Sequence, residues 1–155
     1  MQRGGRAMMR LDWRQFDSAV TVISNRIIGK GYAALYGVPR GGLVLACALS
    51  NRLNIPMMVA DEMNVRLNSK VLVVDDIADH GVTIERLRKK FGPLDAAVWV
   101  RRDRAAHLTA LEYAMMVSDD EWILFPWETP DNAADDEARF RDARRPASGV
   151  RAPGQ

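Results

Sequence analysis

Apolar positions recur at two different periods along this chain, and the alternation between them predicts its architecture. Trp13, Phe16, Val20, Ile23 and Ile27 fall at three- and four-residue steps, which predicts an amphipathic helix from about Asp12 to Ile28. Asp12 and Gln15 read as a capping pair at its start, and Gly29 as its stop. Tyr32 to Gly37 reads as a buried strand, and Gly41 to Leu53 returns to helical period through Leu45, Ala46, Leu49 and Leu53. Strands are expected next at Met57 to Ala60 and at Val71 to Val74. A helix from Thr83 to Phe91 presents Ile84, Leu87 and Phe91 on one face and stops at Gly92-Pro93. Ala96 to Val100, Tyr113 to Val117 and Ile123 to Phe125 supply further short strands. Strands alternating with helices predict an α/β fold, an open and mostly parallel twisted sheet flanked by helices.

Composition narrows this picture without redirecting it. A chain of 155 residues suits one domain with a single core. From Asp131 the aromatic and β-branched content collapses, so a domain over 1–128 is expected to be followed by a disordered tail over 129–155, at most a frayed helix. A net charge of +2 is too small to argue for a nucleic-acid partner, though it does not oppose anionic ligands. The single cysteine, Cys47, excludes an internal disulfide, and its apolar helical surroundings read it as an inert core thiol. No apolar stretch approaches the ~20 residues that cross a bilayer. The basic start, Met1 to Arg6, lacks a signal peptide's apolar core, so no membrane partner and a cytoplasmic location are expected.

The run Val71-Leu72-Val73-Val74-Asp75-Asp76-Ile77-Ala78-Asp79-His80-Gly81-Val82-Thr83 carries the chemistry. Four apolar residues form a strand that a parallel sheet would bury on both faces. Ligands in such sheets bind beyond the strand's carboxyl end, where the next helix offers unpaired N–H groups to an anion. A ligand with hydroxyls for the acids and a phosphate for the amides satisfies both, and sugar phosphates fit. The plainer alternative is that two acids end a strand and cap a helix.

This run resembles the phosphoribosyl-pyrophosphate (PRPP) signature of type I phosphoribosyltransferases: four hydrophobic residues, two acids, then Asp-Thr-Gly-Gly-Thr. Tyr36-Gly37-Val38-Pro39-Arg40-Gly41-Gly42-Leu43 is similar to that family's pyrophosphate loop. Asp120-Glu121-Trp122-Ile123-Leu124-Phe125-Pro126-Trp127-Glu128 resembles the base-binding end of xanthine-guanine phosphoribosyltransferases. The three segments occur in the family's order, and the likeness spans about 11–128.

The resemblance implies a small C-terminal hood, about 101–128, and a role for each matching residue. Asp75 and Asp76 would hold the ribose hydroxyls, directly or through Mg²⁺, of which they would be the protein ligands. Asp79, His80, Gly81, Val82 and Thr83 would cradle the 5′-phosphate, while Arg40, Gly41 and Gly42 would wrap the pyrophosphate. Asp79 would also accept or relay a purine proton, although Asp there equally suits a helix N-cap. Trp122 would stack on the base, Ile123 would meet its exocyclic group through backbone atoms, and Arg101 would read its 6-oxo oxygen. Glu128 follows Pro-Trp where an acid borders the base pocket, whereas Trp13 and Trp127 read as packing residues.

The chain departs from the family at two cradle positions. His80 stands where Thr is usual and Val82 where a small residue is common. His80 on the 5′-phosphate would make PRPP affinity rise as pH falls from about 8 to about 6. Glu62 to Ser69 also leaves a shorter connection than the family's usual lid. The expected function is therefore transfer of the phosphoribosyl group from PRPP to guanine, xanthine or hypoxanthine with release of pyrophosphate, in a homodimer or homotetramer. The alternative is a non-catalytic PRPP- or nucleotide-binding regulatory module of the same fold.

Overall fold

The structure, a computed structural model, describes residues 8–58 and 70–133. Five strands form its main sheet: β2 (Ala34–Gly37), β3 (Met57–Met58), β4 (Val71–Ala78), β5 (Asp95–Arg102) and β6 (Leu111–Val117). They lie in the order β3-β2-β4-β5-β6, and every neighbouring pair is parallel. In chain order α1 (Trp13–Ile27) precedes β2, α2 (Gly41–Leu53) lies between β2 and β3, and α3 (Val82–Phe91) between β4 and β5.

Side-chain alternation along β4 explains the layers. Leu72 and Val74 face one cluster with Phe16, Ile23, Leu45 and Leu49 of α1 and α2. Val71 and Val73 face the other, with Ile84 and Leu87 of α3. Strands buried on both sides must be apolar at every position, which is what the unbroken Val-Leu-Val-Val run supplies. Trp99, only 1% exposed, seals the first cluster against Phe16, Phe125 and Trp127 at centroid distances of 5.4, 5.5 and 6.0 Å.

Helix boundaries follow local chemistry. The α1 start is a full capping box: the Gln15 backbone N–H donates to Asp12 Oδ1 at 2.8 Å, and the Asp12 N–H donates to Gln15 Oε1 at 2.9 Å. Neither α2 nor α3 has a side-chain cap at its start. Each begins a few residues after a strand, α2 after β2 and α3 after β4, where the chain leaves the sheet.

Four expectations need correction. β4 runs on through Asp75 and Asp76 to Ala78, so the twin acids belong to the strand rather than following it. The segment expected at Ile123 to Phe125 is Trp122–Leu124 (β7), and it does not join the main sheet; it pairs in parallel with β1 (Met8–Arg10), an element with no strong pattern of its own. Cys47 is exposed rather than a core thiol, because the buried stripe of α2 is Gly42, Leu45, Ala46 and Leu49 and leaves Cys47 opposite. Asp79 is not the cap of α3, whose N-cap is Gly81.

Of the expected tail, 130–133 are helical, Ala133 is buried, and the Asn132 N–H donates to Thr129 Oγ1 at 3.3 Å. The remainder of that tail, the short connection Glu62 to Ser69 and the end of the strand expected at Met57 to Ala60 lie outside the described residues. Among the described residues no helix is long and apolar enough to cross a membrane.

Candidate active site

Two cavities open at the carboxyl end of the sheet, and Asp76 is a wall of both. The first, about 620 Å³, is lined by β4 from Asp75 to Ala78, by the loop Asp79, His80 and Gly81, and by Val82, Thr83, Ile84 and Arg86 of α3. The second, about 610 Å³, is lined by Pro39, Arg40, Gly41 and Val44 with Trp127, Glu128 and Asn132. The two loops picked out by sequence therefore face each other across one carboxylate.

The glycines set that closeness. A Cβ on Gly41 would overlap the Asp76 carboxylate, and one on Gly42 would sit 2.5 Å from the Val74 carbonyl oxygen and 2.9 Å from Asp75 Cα. Arg40 is the α2 N-cap, and the peptide joining it to Pro39 is cis. In the other loop Gly81 takes the positive φ of +78°, and a Cβ there would press on Leu108. Val82 keeps an ordinary negative φ, so its branched side chain is no obstacle to the turn.

Asp75 and Asp76 are close and poorly solvated. The Asp76 backbone N–H donates to Asp75 Oδ1 at 2.9 Å. Burial, then the charge of Asp76, pushes the Asp75 carboxyl well above the ordinary carboxylate range. Burial raises Asp76 as well, opposed by the hydrogen bonds it accepts. The pair thus favours a shared proton or an added cation over two bare charges. Two carboxylates with phosphate oxygens and water make a fitting Mg²⁺ environment, so the donor set suits that ion.

Asp79 is engaged from the end of the neighbouring strand β5 and the turn after it. Its Oδ1 lies 2.8 Å from Arg102 Nε and accepts from Arg104 Nε at 2.8 Å and from Arg104 Nη2. Arg102 is 4% exposed and donates from Nη1 to the Ser118 carbonyl at 2.8 Å. The Arg104 backbone N–H donates to Asp119 Oδ1 at 3.0 Å, tying the turn Asp103–Ala105 to the far end of β6.

The sequence-predicted residues divide accordingly. Asp75, Asp76, Asp79, His80, Gly81, Val82 and Thr83 share the first cavity; Arg40 and Gly41 share the second, with Gly42 wedged beneath. Arg101, Trp122 and Ile123 line neither. Arg101 stacks its guanidinium over Tyr113 at 4.6 Å and reaches Met116 Sδ at 2.7 Å. Trp122 is partly buried opposite Met8 on the β1–β7 ribbon, and the Ile123 side chain is in the core. Trp127 does pack, stacked on Phe125 at 5.1 Å, but also walls the second cavity. Arg86, Arg102, Arg104 and Asn132 were not singled out by sequence as site residues. The Arg-Arg-Asp-Arg run at the end of β5 was the available signal for two of them.

No family model matches the chain. It is 26% identical over 142 residues to xanthine-guanine phosphoribosyltransferase of Nitratidesulfovibrio vulgaris Hildenborough, covering 80% of this chain and 86% of that one. Against the enzyme of the same name from Idiomarina loihiensis it is 28% identical over 138 residues, covering 76% and 85%. Among solved structures it resembles the purine phosphoribosyltransferase of Pyrococcus horikoshii with a TM-score of 0.66 and 26% identity, over 79% of this chain and 94% of that one. The parallel order β3-β2-β4-β5-β6, the two facing loops and these likenesses agree: the chain is similar in sequence and fold to the purine phosphoribosyltransferases, the xanthine-guanine enzymes among them.

Proposed function

We propose that this protein transfers the 5-phosphoribosyl group of PRPP to a 6-oxopurine and releases pyrophosphate, a purine-salvage reaction. The observation that carries this reading is Asp76 standing between two cavities, each bounded by an uncapped helix N-terminus. A ribose held at Asp75 and Asp76 would send its 5′-phosphate into the α3 loop and its pyrophosphate toward Arg40 and Gly41. Oriented amides cost no reorganisation when they meet an anion, and Arg40 adds charge to the leaving-group side.

In the reaction a base nitrogen forms a bond to ribose C1′ while the bond from C1′ to the pyrophosphate oxygen breaks. Positive charge develops on the sugar and negative charge on the leaving group, so fixing the ribose and neutralising the pyrophosphate is most of the protein's work. Asp75 and Asp76 would hold Mg²⁺, which supplies neutralisation of the pyrophosphate when bound. Asp79, kept in place by Arg102 and Arg104, is assigned the role of accepting a purine N–H. Trp122 and the Ile123 backbone are assigned to the base. Arg101 is assigned to the 6-oxo oxygen, a role in which its guanidinium would leave the Tyr113 ring.

The test is pyrophosphate release from PRPP with guanine, xanthine and hypoxanthine, with adenine and orotate as controls and with Mg²⁺ present or withheld. Release with the oxopurines and not the controls is expected, and no release with any base would overturn the catalytic reading. A second reading, a PRPP- or nucleotide-binding regulatory module, is favoured by the occupation of Asp79 by two guanidinium groups. It predicts saturable PRPP binding without turnover.

A further inference from the structure

We infer that Arg86 is a phosphate ligand of the first cavity, through which this chain selects a sugar carrying a dianionic 5′-phosphate. The inference rests on the phosphoribosyl reading above and adds to it a residue on the second turn of α3, outside the loop signature.

Arg86 lines the cavity together with His80 and Thr83. Helical Cα–Cβ bonds tilt toward the helix N-terminus, so the side chain at 86 lies over the turn that contains Val82 and Thr83. A guanidinium there covers the same space into which the first α3 amides point. Its planar fork of donors matches phosphate oxygens.

Arg86 is exposed and lies just past the first turn of α3, so its guanidinium can swing onto an anion seated at the helix start. The N-terminal end of a helix carries partial positive charge. The other cations of α3, Arg88, Lys89 and Lys90, fall in its last turn, where the dipole favours them. Arg86 is the exception. Its neighbour Glu85, the acid of the first turn, is held by His107 at 2.9 Å. Among the described residues the Arg86 side chain makes no ion pair and no hydrogen bond. The α3 start also lacks a side-chain cap. A dianion at this end would receive both the amides and the fork.

The experiment compares wild type, Arg86→Gln and Arg86→Lys by calorimetric titration with PRPP and with ribose 5-phosphate, and by thermal melting without ligand. Arg86→Gln should weaken both ligands roughly tenfold or more, the scale of a lost charge-assisted hydrogen bond. Arg86→Lys should recover part of the loss. Ligand-free Arg86→Gln should melt close to wild type, because the exposed side chain has no ion pair to lose. A merely structural arginine would show the reverse, lower melting with unchanged affinity, and that result would overturn the assignment. If wild type binds both ligands and Arg86→Gln binds them equally well, the Arg86 assignment alone falls. If wild type binds neither, the phosphoribosyl reading falls and takes this inference with it.

Discussion

Arg102 Nε lies 2.8 Å from Asp79 Oδ1, and the register of the sheet puts it there. Ala78, the last residue of β4, is the parallel partner of Arg101 of β5, so the residues that follow are Asp79, just past β4, and Arg102 of β5. The Arg102 side chain is 5% exposed and that of Asp79 21%, so solvent screens the pair little. Asp79→Asn should destabilise the protein by about 2–4 kcal/mol, since it strands a buried guanidinium. Urea unfolding checks this. The double variant Asp79→Asn, Arg102→Met should lose less than the sum of the single losses. Strict additivity would show the two side chains to be independent.

Asp75 and Asp76 should make the ligand-free protein less stable as pH rises. Both carboxyls titrate higher when folded, through burial first and, for Asp75, the neighbouring charge second. The folded state therefore binds more protons than the unfolded state between the unfolded carboxyl pKa, about 3.9, and the raised folded values. Their stabilising contribution is complete below that window and is lost as pH climbs through the folded pKa. Every tenfold weakening of a carboxyl's acidity on folding is worth about 1.4 kcal/mol. Asp75→Asn should raise the melting temperature near neutral pH, flatten its pH dependence and abolish PRPP binding. A lower melting point at neutral pH would contradict this.

Gly42 tests how tightly the second loop seats on β4. Gly42→Ala places a methyl 2.5 Å from the Val74 carbonyl oxygen, a backbone atom with no rotamer to yield. A loss of about 1–3 kcal/mol is expected, typical of overpacking. Gly41→Ala instead meets the Asp76 carboxylate, a side chain that can turn away. It should cost less stability and more PRPP affinity. Paired melting and titration data on the two variants separate these outcomes.

His80 lines the first cavity where the family usually has a hydroxyl. An imidazole that gains a proton between about pH 8 and pH 6 would strengthen phosphate binding as pH falls. Protonation of the ligand is common to both proteins, so the ratio of wild-type to His80→Thr affinity isolates the side chain. That ratio should grow several-fold over the interval. A constant ratio removes His80 from phosphate recognition.

Local interactions made much of this molecule readable from its residues. The Asp12–Gln15 box, the α2 span Gly41–Leu53 and the stop at Gly92 each depend on neighbours within a turn of helix, so their signals survive in one dimension. The two loops could be named because their chemistry sits in contiguous residues.

What no local pattern contained was decided by packing and register. Strand β1 is too short to announce itself and exists through its pairing with Trp122–Leu124. Cys47 lies in an apolar run, but only the side on which the sheet meets α2 determines that it is exposed. The arginines at the end of β5 became partners of Asp79 because two strands separated by a helix align in parallel, bringing distant charges together. Chain-local forces thus settled the helices, the twin acids and the glycine bends. The charge environment around Asp79, and the opening of both loops onto Asp76, required the assembled sheet, because long-range Coulomb and packing energies have no sequence period to reveal them.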